Sequence, residues 1–153
     1  GEITDLTGIE DFIALTELNC AYNKIATIER CLQRINVVYA EVNDNLSTDY
    51  TRQDSIVLNL QRACEASIDL ANYVNKHKVL GIPQSSIDAF ELLFRANLLP
   101  EEVALNLKKM VGLRNLALHD YQELNIEIVK FIVENHLVDF QHFIKAIKLI
   151  PSL

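Results

Sequence analysis

The sequence predicts an all-α fold: an antiparallel four-helix bundle with one shorter helix added and an N-terminal extension. Three observations point there. Apolar residues recur at three- and four-residue steps through several long segments, which is the period of an amphipathic helix. No segment alternates apolar and polar residues with the period of a half-buried strand. The 153 residues include only four Gly and three Pro, which leaves few places to break a helix or turn a hairpin. Hydrophobic residues make up 50% of the chain, so one domain of this length can bury a core.

The elements follow in order. Gly1 reads as a tag remnant, and residues 1–22 as an extension preceding a bundle over 23–153. Leu15, Leu18, Cys20, Asn23 and Ile25 fall in the places of a single leucine-rich repeat. One repeat cannot cover its own apolar side, because repeats are stabilised by their neighbours. The plainer expectation is a segment whose Ile9, Phe12, Ile13 and Leu15 dock on the bundle. Ile25, Ile28, Leu32, Ile35, Val38 and Val42 mark a first helix from about Asn23. Residues 43–49 are turn-rich, and Thr51 with Asp54 can start the second helix, which runs to about His77. Its apolar side holds Ile56, Leu60, Ala63, Leu70 and Val74.

Gly81-Ile82-Pro83 breaks that helix, and Ser85 or Ser86 can cap a short third one carrying Ile87, Phe90, Leu93 and Phe94. Pro100 suits the first turn of a fourth helix, with Glu101 and Glu102 at its positive end. Val103, Leu107, Met110 and Leu113 carry it to about Leu118. Asn125 can cap a last helix that buries Ile128, Ile132, Val133, Leu137, Phe140, Phe143, Ile144 and Ile147 and stops at Pro151.

Composition narrows the function. Every apolar stretch is interrupted by a charged residue before it could span a membrane, and no secretory signal pattern opens the chain. Cys20, Cys31 and Cys64 are odd in number and widely spaced, which suits reduced thiols in the cytoplasm rather than a zinc site. The net charge of −7 argues against a nucleic-acid coat protein. Five of those charges lie in Glu2, Asp5, Glu10, Asp11 and Glu17, where no Lys or Arg occurs. The rest of the chain is still not basic, so RNA binding would need a local cluster, Arg114 with Lys108, Lys109 or Arg62.

The chemistry concentrates in Val111 to Tyr121, V-G-L-R-N-L-A-L-H-D-Y. Arg114 is a fixed cation whose planar fork matches phosphate oxygens. His119 can give and take a proton near neutral pH. Together they can cut RNA without a metal, the imidazole moving protons and the guanidinium steadying charge on phosphorus. On a regular helix, residues five apart point about 140° away from each other. The helix must therefore end or bend between Leu118 and Tyr121 if both are to reach one phosphate.

The pattern R-x4-H-x-Y with Asn115 after the Arg resembles the signature of HEPN-domain ribonucleases. More narrowly it resembles the HepT toxins, which pair with an MntA-type minimal nucleotidyltransferase antitoxin. L-Q-R-A-C-E-A-S-I-D-L-A (Leu60 to Ala71), G-I-P-Q-S-S (Gly81 to Ser86), A-F-E-L-L (Ala89 to Leu93) and K-K-M-V-G-L-R-N (Lys108 to Asn115) carry the likeness further. It covers the chain from about Lys24 onward. The resemblance implies a HEPN-like bundle and a homodimer that brings two copies of the motif to one cleft. Arg114 and His119 are then catalytic. From the residues themselves, Asn115 can position Arg114 or substrate by hydrogen bonds, and Asp120 can orient His119, although adjacent side chains usually diverge. The resemblance also implies that Tyr121 accepts adenylyl groups from ATP, and that RNA, with transfer RNA as the first guess, is the substrate. No DNA, membrane, metal or cofactor is expected.

Plainer readings stand beside these. An Arg–His pair at a helix end often caps it, and a lone Tyr is often an edge aromatic. His136, Asp139 and His142 have metal-like spacing, but a solvated face explains them. Cys31 and Cys64 fall among core residues, and Arg62 and Asp69, seven apart on one face of the second helix, either support the cleft or form a structural ion pair. The competing function is a non-catalytic helical module that binds a nucleotidyltransferase or a nucleotide.

Overall fold

The computed structural model describes residues 7–42, 45–151 and 153, with backbone alone at residues 7, 14, 17 and 18. The expected roles of Glu2 and Asp5, and of the Glu17 and Leu18 side chains, lie outside the described residues, as do residues 43 and 44 of the expected loop. Among the described residues there are six α-helices: α1 Thr7–Ala40, α2 Tyr50–His77, α3 Ser86–Arg95, α4 Glu101–His119, α5 Ile126–Asn135 and α6 Leu137–Lys148. Among the described residues there is no strand. α1 lies along α2, α2 against α4, α4 against α6, and α6 against α1, which closes a four-helix bundle. α3 braces α2 and α4, and α5 rests on α6.

The core is built from the expected apolar faces. Ile28 and Ile35, Ile56 and Leu60, Phe90 and Leu93, Leu107, and Phe140 and Phe143 are fully buried. The rings of Phe90 and Phe143 meet edge to face at 5.7 Å, tying α3 to α6. Cys31 and Cys64 are buried as expected. Burial pushes the Cys64 thiol up to about 12, so it is a small inert core side chain. No helix among the described residues is long and apolar enough to cross a membrane.

Several expectations change. The first helix begins at Thr7 instead of near Asn23 and runs unbroken to Ala40. Its N-terminal turns do not dock on the bundle, since Ile9, Phe12, Ile13 and Leu15 are 38%, 69%, 52% and 56% exposed. The cap of α2 is Asp49 rather than Thr51, its carboxylate accepting from the Arg52 N–H at 3.1 Å. Ser85 does cap α3, accepting from the Asp88 N–H at 3.0 Å, and Asn125 caps α5. Ile87 and Ile128, expected inside, are 46% and 51% exposed, and the buried position beside Ile128 is Val129.

The last helix is two helices, divided at His136, where ψ is 0°. Asp139 explains the division. The residue is only 4% exposed, and a buried carboxylate needs donors. Asn106 Nδ2 of α4 donates to one oxygen at 3.1 Å, and the His136 ring bonds the other at 2.8 Å. His136 and Asp139 therefore form a bracket at the start of α6 and not a solvated face. Among the described residues no cluster of three or more His, Cys, Asp or Glu side chains could hold a metal ion. The expected Arg62–Asp69 pair is replaced by Lys24 to Asp69 at 2.8 Å, joining α1 to α2.

The end of α2 carries strain. After the cap at Lys78 the chain places Val79 at φ +54°, and the Leu80 N–H closes onto the Asn75 carbonyl at 2.9 Å. A β-branched residue is costly in this left-handed region, and Val79 is 87% exposed, so packing returns little. Val79→Gly is expected to raise stability by about 0.5–1 kcal/mol, the strain relieved less the extra chain entropy of Gly. A denaturant midpoint that stays put or falls would contradict this.

Candidate active site

α4 is helical from Glu101 to His119 and then stops. Asp120 takes φ −152° and ψ 62°, its N–H bonded to the Leu116 carbonyl at 2.8 Å. The chain passes into one 3-10 turn over Tyr121–Glu123 before α5. The termination expected between Leu118 and Tyr121 thus falls at His119 and Asp120.

Arg114 sits where α2, α3 and α4 meet. Its side chain is 15% exposed, with Nη1 at 3.0 Å from Glu65 Oε1 and Nη2 donating to Ser86 Oγ at 3.1 Å. Its Nε is buried with no partner. Glu65 and Ser86, and not Asn115, hold the guanidinium, and Asn115 is exposed. His119 and Asp120 are both exposed, and among the described residues no hydrogen bond joins them. Because α4 is regular up to His119, Arg114 and His119 point in different directions within one protomer.

Tyr121 is 43% exposed, and its hydroxyl donates to Asp54 Oδ1 in the first turns of α2. Partial burial, then the hydrogen bond and charge of Asp54, push this phenol up to about 12. A phenol with a raised value contributes stability that is fully present below its ordinary pH of about 10 and is lost as pH climbs toward 12. Asp54→Asn is expected to bring the titration of Tyr121 down. The difference between ultraviolet titrations of wild type and Tyr121→Phe isolates that one tyrosine, and an unchanged value in Asp54→Asn would contradict the assignment.

The expected basic cluster is thinner than the sequence suggests. Lys108 is paired with Glu91, linking α4 to α3 and holding the Glu91 carboxyl below its usual range. Lys109 and Arg62 are exposed. An apolar groove lies between α4 and α5, lined by Leu113, Leu116, Ile128 and Phe131, with Gly112 at its edge.

The sequence matches the family described as Ribonuclease HepT-like over residues 28–147. A curated relative from Shewanella oneidensis strain MR-1, named mRNA nuclease HepT, is 57% identical over 126 residues, spanning 82% of this chain and 94% of that protein. The chain belongs to the ribonuclease HepT-like family. Solved structures of relatives agree with the fold of this HepT-like chain. The tri-AMPylated Shewanella oneidensis HEPN toxin in complex with MNT antitoxin is 56% identical, with TM-score 0.80, covering 84% of this chain and 96% of that one. A toxin–antitoxin structure with AMP-PNP is 55% identical, with TM-score 0.81, covering 85% and 98%. The HepT-like match begins at residue 28, so the exposed N-terminal turns of α1 fall outside it.

Three residues beside the HepT-like motif were not read as site residues from the sequence: Glu65, and Ser86 and Asp54, which figured only as helix-start candidates. Glu65 and Ser86 lie inside stretches that carry the family likeness, which was the available signal. Asp54 gave none beyond helix capping. Its partner is 67 residues away, and no local pattern encodes that pairing.

Proposed function

We propose that this chain is the toxin of a HEPN–nucleotidyltransferase pair: a metal-independent endoribonuclease, active as a homodimer and silenced by adenylylation of Tyr121. What supports it most is the abrupt end of α4, which leaves His119 in solvent just beyond an anchored Arg114 in a chain 57% identical to an mRNA nuclease. One protomer supplies one motif histidine, whereas attack by a 2′-hydroxyl needs both a base and an acid. In a homodimer cleft, His119 takes the 2′-hydroxyl proton and His119 of the partner subunit protonates the departing 5′-oxygen. Arg114, held by Glu65 and Ser86, stabilises the charge that grows on the phosphoryl oxygens. In this reading Asn115, exposed one residue on, binds substrate.

A nucleotidyltransferase antitoxin of the MntA type is the partner, and ATP the adenylyl donor. A nucleotide on the Tyr121 hydroxyl puts a bulky anion two residues from His119, where it obstructs RNA and repels its phosphates. Three free cysteines fit a reducing cytoplasm.

Incubation of RNA with the protein in EDTA tests the reading. The expected products carry 5′-hydroxyl and 2′,3′-cyclic phosphate ends, or the phosphate to which the latter opens. Messenger and transfer RNA in parallel decide between the class named for the relative and the class first guessed from the family. The engagement of Arg114 by Glu65 favours the competing reading, a non-catalytic module. Binding of RNA without turnover would establish that alternative.

A further inference from the structure

Asp54 has no part in the nuclease chemistry above, yet it holds the hydroxyl of the residue proposed for modification. We infer that Asp54 is the proton acceptor for adenylylation of Tyr121, so that the toxin supplies part of the chemistry of its own silencing. This rests on Tyr121 being the adenylyl acceptor.

The geometry carries it. Asp54 Oδ1 lies 2.5 Å from Tyr121 Oη, across the gap between the start of α2 and the turn after α4. Asp54 is exposed and Tyr121 is 43% exposed, so a triphosphate can approach the oxygen. Among the described residues no other side chain bonds that hydroxyl. His119, two residues back, makes no bond to it. The bond to Asp54 directs the O–H into the carboxylate and leaves the oxygen lone pairs free to meet an incoming phosphorus.

A base is also needed. With the phenol pushed up to about 12, roughly one molecule in 10^5 is phenolate at pH 7, too few to rely on spontaneous ionisation. Tyr121 Oη forms a bond to the α-phosphorus of ATP, and the α-phosphorus–oxygen bond to pyrophosphate breaks. Pyrophosphate leaves with the electron pair, and the phenolic proton passes to the Asp54 carboxylate and then to water. The product holds a phosphodiester anion beside that carboxylate, and the oxygen has no proton left to donate. The contact that tied the 3-10 turn to α2 becomes a repulsion.

The test compares wild type, Asp54→Asn, Asp54→Ala, Asp54→Glu and Tyr121→Phe, each as the full chain. Each is incubated with a minimal nucleotidyltransferase antitoxin and magnesium ATP, and followed by intact mass and peptide mapping. Asn can still accept the hydrogen bond but is no base. The inference therefore expects Asp54→Asn to be modified about 100-fold more slowly or worse, close to Asp54→Ala. Asp54→Glu keeps a carboxylate one methylene further out and is expected to recover part of the rate. Thermal melts of every variant show that each is folded at the assay temperature. Asp54→Asn modified as fast as wild type would overturn the inference and leave Asp54 an orienting contact only. Asp54→Glu no faster than Asp54→Ala would overturn it as well. A wild type that gains mass elsewhere than Tyr121, or none at all, would overturn the modification reading itself and this inference with it.

Discussion

His119→Ala is expected to lower RNA cleavage by about 10^2- to 10^4-fold, the usual worth of a positioned acid or base, while the bundle stays folded. The two parts of that expectation have separate grounds. The ring is exposed beyond the last turn of α4 and makes no hydrogen bond among the described residues, so removing it leaves no cavity and no orphaned partner. Activity and stability should therefore separate cleanly. Turnover of a labelled RNA in EDTA, beside a thermal melt of the same sample, checks both. Equal cleavage by the variant would remove His119 from the chemistry.

Arg114→Ala is expected to cost about 10^2- to 10^3-fold in the chemical step, the scale seen when a preorganised donor to a developing oxyanion is removed. The fold should tolerate this change too. Glu65 is 47% exposed and can return to water when its partner goes, and Ser86 is itself only partly buried. Arg114→Lys is the informative companion. It keeps the charge but has no planar fork with which to meet Glu65 and Ser86 on two sides at once. It should recover only part of the rate. Single-turnover kinetics separate the chemical step from binding, and a lysine variant as fast as wild type would show that geometry at this position does not matter.

Much of this architecture was legible because helical period survives in the apolar residues. Ile28, Leu60, Phe90, Leu107 and Phe143 fall where the period puts them, and all are buried. Ser85 and Asn125 cap their helices for reasons that reside in their own side chains. The end of α4 was legible from a geometric conflict, since Arg114 and His119 cannot share a face of a continuing helix. What stayed hidden depends on distant partners. The apolar period runs straight through His136, so only the burial of Asp139 and its bond from Asn106 reveal the break. The spacing of Leu15, Cys20 and Ile25 suits a leucine-rich repeat, and it also continues one long helix. Within the site, the motif residues were visible as types. The contacts that hold them, Glu65 and Ser86 on Arg114 and Asp54 on Tyr121, come from other helices.

A mixed dimer with one wild-type chain and one His119→Ala chain, isolated by two affinity handles, tests the shared cleft most directly. If one imidazole serves as base and the other as acid, a single substitution disables the whole cleft, and the mixed dimer should cleave RNA nearly as poorly as the doubly substituted one. Half of wild-type activity would mean that each protomer cuts alone, and would contradict catalysis by two converging motifs.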